Sequence, residues 1–185
     1  MVIIGITGTI GAGKGTVVEY LINKKNFKHF SARGFLMEEI ERRGLENNRD
    51  NMVAVANELR EKNSPSFVAD ELLKRALESG ENCVIESLRT VGEIESLRKK
   101  GNFSLLAIDA DSRVRYERII IRSTSTDNIS FEKFLSDEER EMNSDDPNKQ
   151  NLRKCIEMAD FRIENNGTIE ELNYKLEEIL KVIQV

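Results

Sequence analysis

One short segment carries the clearest chemistry in the chain: Gly8, Thr9, Ile10, Gly11, Ala12, Gly13, Lys14, Gly15 and Thr16 in unbroken order. Glycines at this density let a backbone turn tightly enough for successive N–H groups to converge on one anion. A helix that follows adds the positive end of its dipole. Lys14 at the helix start would bridge the β- and γ-phosphates of a nucleoside triphosphate as a point charge. The expected grip on that ligand comes from Gly8, Gly11, Ala12, Gly13, Lys14, Gly15 and Thr16. In the general pattern the residue after the lysine bears the hydroxyl that ligates Mg2+; here it is Gly15, and the hydroxyl follows on Thr16, which is expected to touch the α-phosphate. The metal would then be held mainly by phosphates and water, with Thr16, Glu86 and Asp109 as groups behind its direct ligands.

The elements around this segment suit it. A β-branched run at 2–7 predicts a strand entering the loop, and helical spacing at 16–22 predicts the helix leaving it. A second strand is expected at 27–31 and a helix at 34–43, with Phe35, Leu36, Met37 and Ile40 on one face. Helices at 51–62 and 66–78 follow, the latter opened by Ser64 as cap and Pro65 as first helical residue. A buried strand at 83–85 leads into Glu86 and another at 103–108 into Asp109, with a helix at 91–100 between them and one at 112–122 after them. Residues 123–130 are polar and turn-rich and 136–146 acidic, the composition of a mobile flap, with Asp137, Glu138 and Glu139 on a solvated helix face. Helix 148–159, strand 160–164 and helix 168–182 close the chain. This alternation specifies an α/β fold: a five-stranded parallel sheet covered on both faces.

Composition narrows the function. The 185 residues suffice for one domain, and 28 Lys and Arg against 33 Asp and Glu give a net charge of −5, which argues against nucleic acid as the main partner. Cys83 and Cys155 are far apart with one histidine, His29, in the chain, so buried structural thiols are expected rather than a metal site. The N-terminal apolar stretch is too short for an export signal or a membrane span, which makes cytoplasm the expected location.

The Gly-Lys-Gly-Thr form of the loop resembles the nucleoside monophosphate kinases, adenylate kinase in particular, along with dephospho-coenzyme A kinases and an archaeal group of kinase-like proteins near them. Three further segments carry the likeness. Val84 to Thr90 has the shape of a strand ending in an acid followed by an acceptor-holding arginine, here Glu86 and Arg89. Residues 117–122 are similar to the helix leading into the adenylate kinase lid, with Arg118 and Arg122 one turn apart. Residues 159–168 are similar to the ending of dephospho-coenzyme A kinases, where the loop holding Asn166 lies against adenine. The resemblance implies a three-layer P-loop kinase fold with its core at about 1–31, 80–122 and 148–185, an acceptor-binding insertion at about 32–79 and a lid at about 123–147. It also implies ATP and Mg2+ as cofactors, Lys14, Arg118 and Arg122 as catalytic groups, and Arg33, Glu86 and Arg89 for the acceptor. Solvation accounts for Arg60 and Arg153.

The expected activity is ATP-dependent transfer to a nucleotide-like small molecule, a nucleoside or deoxynucleoside monophosphate. Transfer to such a phosphate needs no general base, so His29 has no required role. Dephospho-coenzyme A is the alternative acceptor, although its hydroxyl needs a carboxylate base that Ser31-Ala32-Arg33 does not supply. An ATP-binding regulatory module without transfer is the alternative from another class. Guanine reading is not expected, because Asn148-Lys149-Gln150-Asn151 lacks the required aspartate.

Overall fold

The computed structural model describes residues 1–122 and 129–185. In chain order the elements are β1 (Ile3–Gly8), α1 (Lys14–Lys25), β2 (Lys28–Ser31), α2 (Ala32–Arg42), α3 (Arg49–Lys62), α4 (Phe67–Ser79), β3 (Cys83–Glu86), α5 (Val91–Arg98), β4 (Phe103–Asp109), α6 (Ser112–Arg122), α7 (Phe131–Met142), α8 (Leu152–Glu157), β5 (Phe161–Glu164) and α9 (Ile169–Ile183). The five strands pair in parallel in the order β2-β3-β1-β4-β5. The strand order changes direction at β1, and the loop that leaves its C-terminal end opens at such a switch point, where sheets of this kind bind ligands.

Period-two patterning builds the two cores. Ile3, Ile85 and Leu105 face one layer with side chains of α2, α3, α4, α5 and α8. Ile4, Ile6, Val84, Leu106 and Ile108 face the other, against Val17, Val18 and Leu21 of α1 and Leu172, Leu176 and Leu180 of α9. A central parallel strand has both faces covered, which is why all six residues of β1 are buried. Removing even one such aliphatic side chain from water contributes roughly 1.5–3 kcal/mol.

Several expectations are corrected here. The helix at 66–78 is not opened by Ser64 and Pro65: these lie in a turn, with Phe67 N–H bonded to Ser64 O, and Ser66 occupies the cap position. The helix expected at 148–159 shortens to α8, because the Asn151 side chain accepts from Lys154 N–H and caps a helix that starts only at Leu152. In the expected flap, residues 123–128 lie outside the described part of the chain, and the acidic stretch that follows belongs to α7 as far as Met142, with Asn143 to Asp146 beyond the helix. That helix has no solvated acidic face at Asp137 and Glu138. Phe134 is fully buried against Tyr116 of α6, which turns the same helical stripe inward. Asp137 is buried beside Lys133, and Glu138 pairs with the buried Arg115. Only Glu139 is exposed. Cys83 and Cys155 are free and buried, and no described helix is long and apolar enough to cross a membrane.

Candidate active site

The loop between β1 and α1 is shaped by close approaches. Gly8 has φ 132°, and a Cβ there would lie 1.9 Å from the Ile108 carbonyl oxygen of β4. Gly13 has φ 101° and immediately precedes α1, where a Cβ would lie 2.4 Å from Asn165 Nδ2. No side chain caps α1, so its first N–H groups are left for an anion. Asn165 Nδ2 donates to Ala12 O at 2.8 Å, and the Arg115 guanidinium donates to Ile10 O at 3.3 Å and Ala110 O at 2.6 Å. Both contacts pin the loop from outside.

Lys14 Nζ donates to the loop's own carbonyls, Gly8 O at 2.9 Å and Thr9 O at 2.6 Å. Burial lowers its pKa to about 7, and the neighbouring Arg89 guanidinium adds to the shift against the fields of Glu86 and Glu141. An incoming triphosphate would reverse that shift by supplying the missing negative charge.

In front of the loop lies a cleft of about 650 Å³. Seven cations line it, Lys14, Arg33, Arg49, Arg60, Arg89, Arg118 and Arg122, against three carboxylates, Glu19, Glu86 and Glu141. In a chain of net charge −5 this concentrates positive potential in one concave surface, the arrangement that draws in polyanions. Leu36, Met52, Val53 and Ala56 supply an apolar stretch of the same wall.

Polar contacts organise the half of the cleft beyond Lys14. Glu86, at the end of β3, accepts from Ser31 Oγ at 2.7 Å and lies 3.8 Å from His29 Nε2. Burial works against its charge, but the contacts with His29 and Ser31 and the field of Lys14 outweigh it and bring its pKa to about 2. Ser87, the next residue, has φ 68°, a strained conformation for a side chain with a Cβ, and the turn it makes leads to Arg89. Arg89 Nη1 donates to Glu141 Oε2 at 2.5 Å and to Gln150 Oε1 at 3.1 Å, while Arg49 donates to Glu141 Oε1 through Nη2 at 2.6 Å and Nε at 3.0 Å. Burial opposes ionisation of Glu141, yet the two guanidinium groups hold its carboxyl below the ordinary range. Beneath them Arg60, 3% exposed, pairs with Glu93, 1% exposed. The sequence expectation of a solvated Arg60 is thus overturned, because α3 turns this residue toward α5; Arg153 is exposed as expected.

Of the residues selected from sequence, Gly11, Gly13, Lys14, Gly15, Thr16, Arg33, Glu86, Arg89, Arg118 and Arg122 line the one cleft. Gly8 and Ala12 shape the loop without lining it. Asp109 does not line it; its carboxylate accepts from the Thr9 hydroxyl of the loop and from Ala110 N–H. Asn166 does not line it either; its side chain accepts from Asp111 N–H at 2.8 Å, and its neighbour Asn165 lines the cleft. Arg118 donates to the carbonyls of Asn165 and Gly167, closing that corner. Arg49, Arg60, Asn165 and Glu141 were not selected from sequence. For Glu141 a signal exists: it falls one heptad after Phe134, on the stripe that α7 buries. Arg49 carries no local signal, being the first residue of a polar helix turn.

Comparison with known proteins bears on the family and the fold. A family model described as an AAA domain matches residues 4–144. The chain is 31% identical over 180 residues to a UPF0200 protein of Pyrobaculum aerophilum, covering 96% of each chain. It is 31% identical over 185 residues to a UPF0200/UPF0201 protein of Archaeoglobus fulgidus, where 97% of this chain matches 55% of the longer relative. Among solved structures, shikimate kinase from Bacteroides thetaiotaomicron superposes with a TM-score of 0.60 at 14% identity, over 100% of this chain and 99% of that one. A gluconokinase from Sinorhizobium meliloti gives 0.60 at 13% identity, over 99% and 94%. At such identities the likeness is one of fold.

Proposed function

Since this chain belongs to the UPF0200 family, carries an AAA domain and has a P-loop kinase-like fold, we propose that it is an ATP-dependent phosphotransferase whose acceptor is a nucleoside or deoxynucleoside monophosphate. The observation that carries this reading is one cleft lined both by the anion-binding loop with Lys14 and by Arg33, Arg49 and Arg89. Transfer of a γ-phosphoryl group forms a bond from an acceptor oxygen to phosphorus and breaks the one to the β–γ bridging oxygen. Charge spreads over the three equatorial oxygens, so fixed cations contribute most of the catalysis. Lys14, Arg118 and Arg122 supply them here, and Arg33 and Arg89 orient the acceptor.

The residues present fit a triphosphate. The loop's N–H groups have no capping side chain, and a Cβ on Gly15 would meet nothing within 4 Å, which leaves open space over the start of α1. They also fit Mg2+ that arrives with the phosphates. Among the described residues no group of three carboxylate, histidine or cysteine side chains could hold an ion alone, while Thr16 and Glu86 line the cleft. When bound, the ion would neutralise phosphate charge.

A phosphate acceptor suits Glu86 better than a hydroxyl acceptor does. A carboxylate with a pKa of about 2 is a poor base for a ribose hydroxyl, whereas a phosphate oxygen is already deprotonated. The test is a coupled ADP-release assay over a panel of nucleoside and deoxynucleoside monophosphates with dephospho-coenzyme A included. Turnover with a monophosphate supports the reading. Turnover with dephospho-coenzyme A alone, or tight ATP binding without transfer to any acceptor, contradicts it.

A further inference from the structure

Glu141 lies where a substrate anion would be expected. Its two carboxylate oxygens take three hydrogen bonds from Arg49 and Arg89, its side chain is 7% exposed, and both arginines face the cleft. Carboxylate and phosphate present the same kind of paired oxygens to a guanidinium fork. We infer that Arg49 and Arg89 form an oxyanion site that Glu141 fills until the anionic group of the acceptor displaces it, so that acceptor binding releases the end of α7.

Three features argue for exchange over a permanent ion pair. Glu141 is in the last turn of α7, next to its final residue Met142, where a negative charge opposes the helix dipole. The arginines hold it there, and the helix gains nothing from its charge at that position. Arg89 keeps other anchors when Glu141 leaves: Gln150 Oε1 accepts from its side chain, its amide donates to Glu93, and its carbonyl accepts from Asn151 N–H at 2.9 Å. Arg49, in contrast, has Glu141 as its side-chain partner among the described residues, so its charge is available to whichever anion is present. A phosphate monoester brings close to two charges and three oxygens against one charge and two for the carboxylate, which favours substitution.

The inference rests on the acceptor reading above, and inorganic phosphate separates the two. The chain carrying Lys14→Ala weakens the loop's own grip on phosphate by removing its ammonium, and phosphate is titrated into it by calorimetry, with Arg49→Gln assigning the binding to the arginine site. Phosphate should bind this variant. Adding Glu141→Gln should tighten binding about tenfold, as competition between two ligands of one site requires, and adding Arg49→Gln should abolish it. Amide exchange across α7 in the Lys14→Ala chain should quicken when phosphate is added. Failure of phosphate to bind, or a Glu141→Gln chain that melts normally and binds phosphate no tighter, overturns the inference and makes Glu141 a structural partner. Should Glu141→Gln fail to fold, amide exchange in the Lys14→Ala chain decides alone: unchanged protection of α7 with phosphate bound overturns it. ATP titration of the unaltered chain reads the proposed function independently, because a protein could fail to bind ATP and still exchange Glu141 for phosphate.

Discussion

Replacing Glu93 by alanine should be among the most damaging single changes to stability. Glu93 Oε1 accepts from Arg60 Nε at 3.1 Å and Nη2 at 2.8 Å, and Oε2 accepts from the backbone N–H groups of Arg89 at 2.8 Å and Thr90 at 3.1 Å. The same residue completes a capping box at the start of α5 with Thr90. Truncation therefore leaves a buried guanidinium with no counter-charge, and one of its nitrogens, Nη1, already has no partner among the described residues. Breaking a buried pair from one side costs about 3–5 kcal/mol. Loss of the cap adds about 1 kcal/mol. For a chain of this length each kcal/mol moves the midpoint by roughly 2–4 °C, so a drop of about 8–24 °C is expected. Thermal unfolding followed by circular dichroism reads it. The double variant Arg60→Met, Glu93→Gln leaves neither charge buried and should recover most of the charge-dependent part. A Glu93→Ala chain melting within about 2 °C of the unaltered protein, less than the shift roughly 1 kcal/mol would give, would refute the reasoning.

Lys14 should make nucleotide binding proton-linked: with its pKa near 7 in the free protein and raised beside a triphosphate, binding at about pH 8 should take up close to one proton. Calorimetry in buffers of different ionisation enthalpy measures the uptake, which should vanish in Lys14→Met. Because the folded-state pKa is below the unfolded one, the unfolded chain holds more protons between about pH 7 and 10.5, and Lys14 should make stability rise with pH across that window. Gly13→Ala would place a Cβ 2.4 Å from Asn165 Nδ2 at a φ of 101°, and should lower ATP affinity at least tenfold, read by titration, an effect of the size of one lost charge-assisted bond. Burial pushes Cys83 up to about 11, and burial together with Glu93 pushes Cys155 up to about 12, so neither thiol should react with a disulfide reagent at pH 8 until the protein unfolds.

The sheet was legible in the sequence because short apolar runs ending at Gly8, Glu86 and Asp109 alternate with helical spacing, and nothing else satisfies both periods. Phosphate-loop residues were legible for a similar reason: their types are demanded by local backbone geometry. Arg118 and Arg122 were legible through their one-turn spacing. Asn165 and Asn166 were confused because their roles differ only in which side chain the end of β5 turns toward Ala12, a tertiary matter. The acidic stretch of α7 misled for a deeper reason. Charge in a sequence reads as solvation, but Glu138 is half-buried and Glu141 buried against arginines from α6, α3 and the loop after β3, none of them near in sequence. Arg60 was misread in the same way, since its partner Glu93 lies on another helix.

The central claim is that the loop at the end of β1 grips a triphosphate through Lys14 and the open start of α1. Titrating ATP with Mg2+ into the unaltered chain and into Lys14→Ala, followed by calorimetry, tests it directly. Saturable heat from the first, weakened at least tenfold in the second as loss of a charge-assisted phosphate contact requires, is the predicted result. No heat from the unaltered chain, or equal affinity in both, would contradict the account.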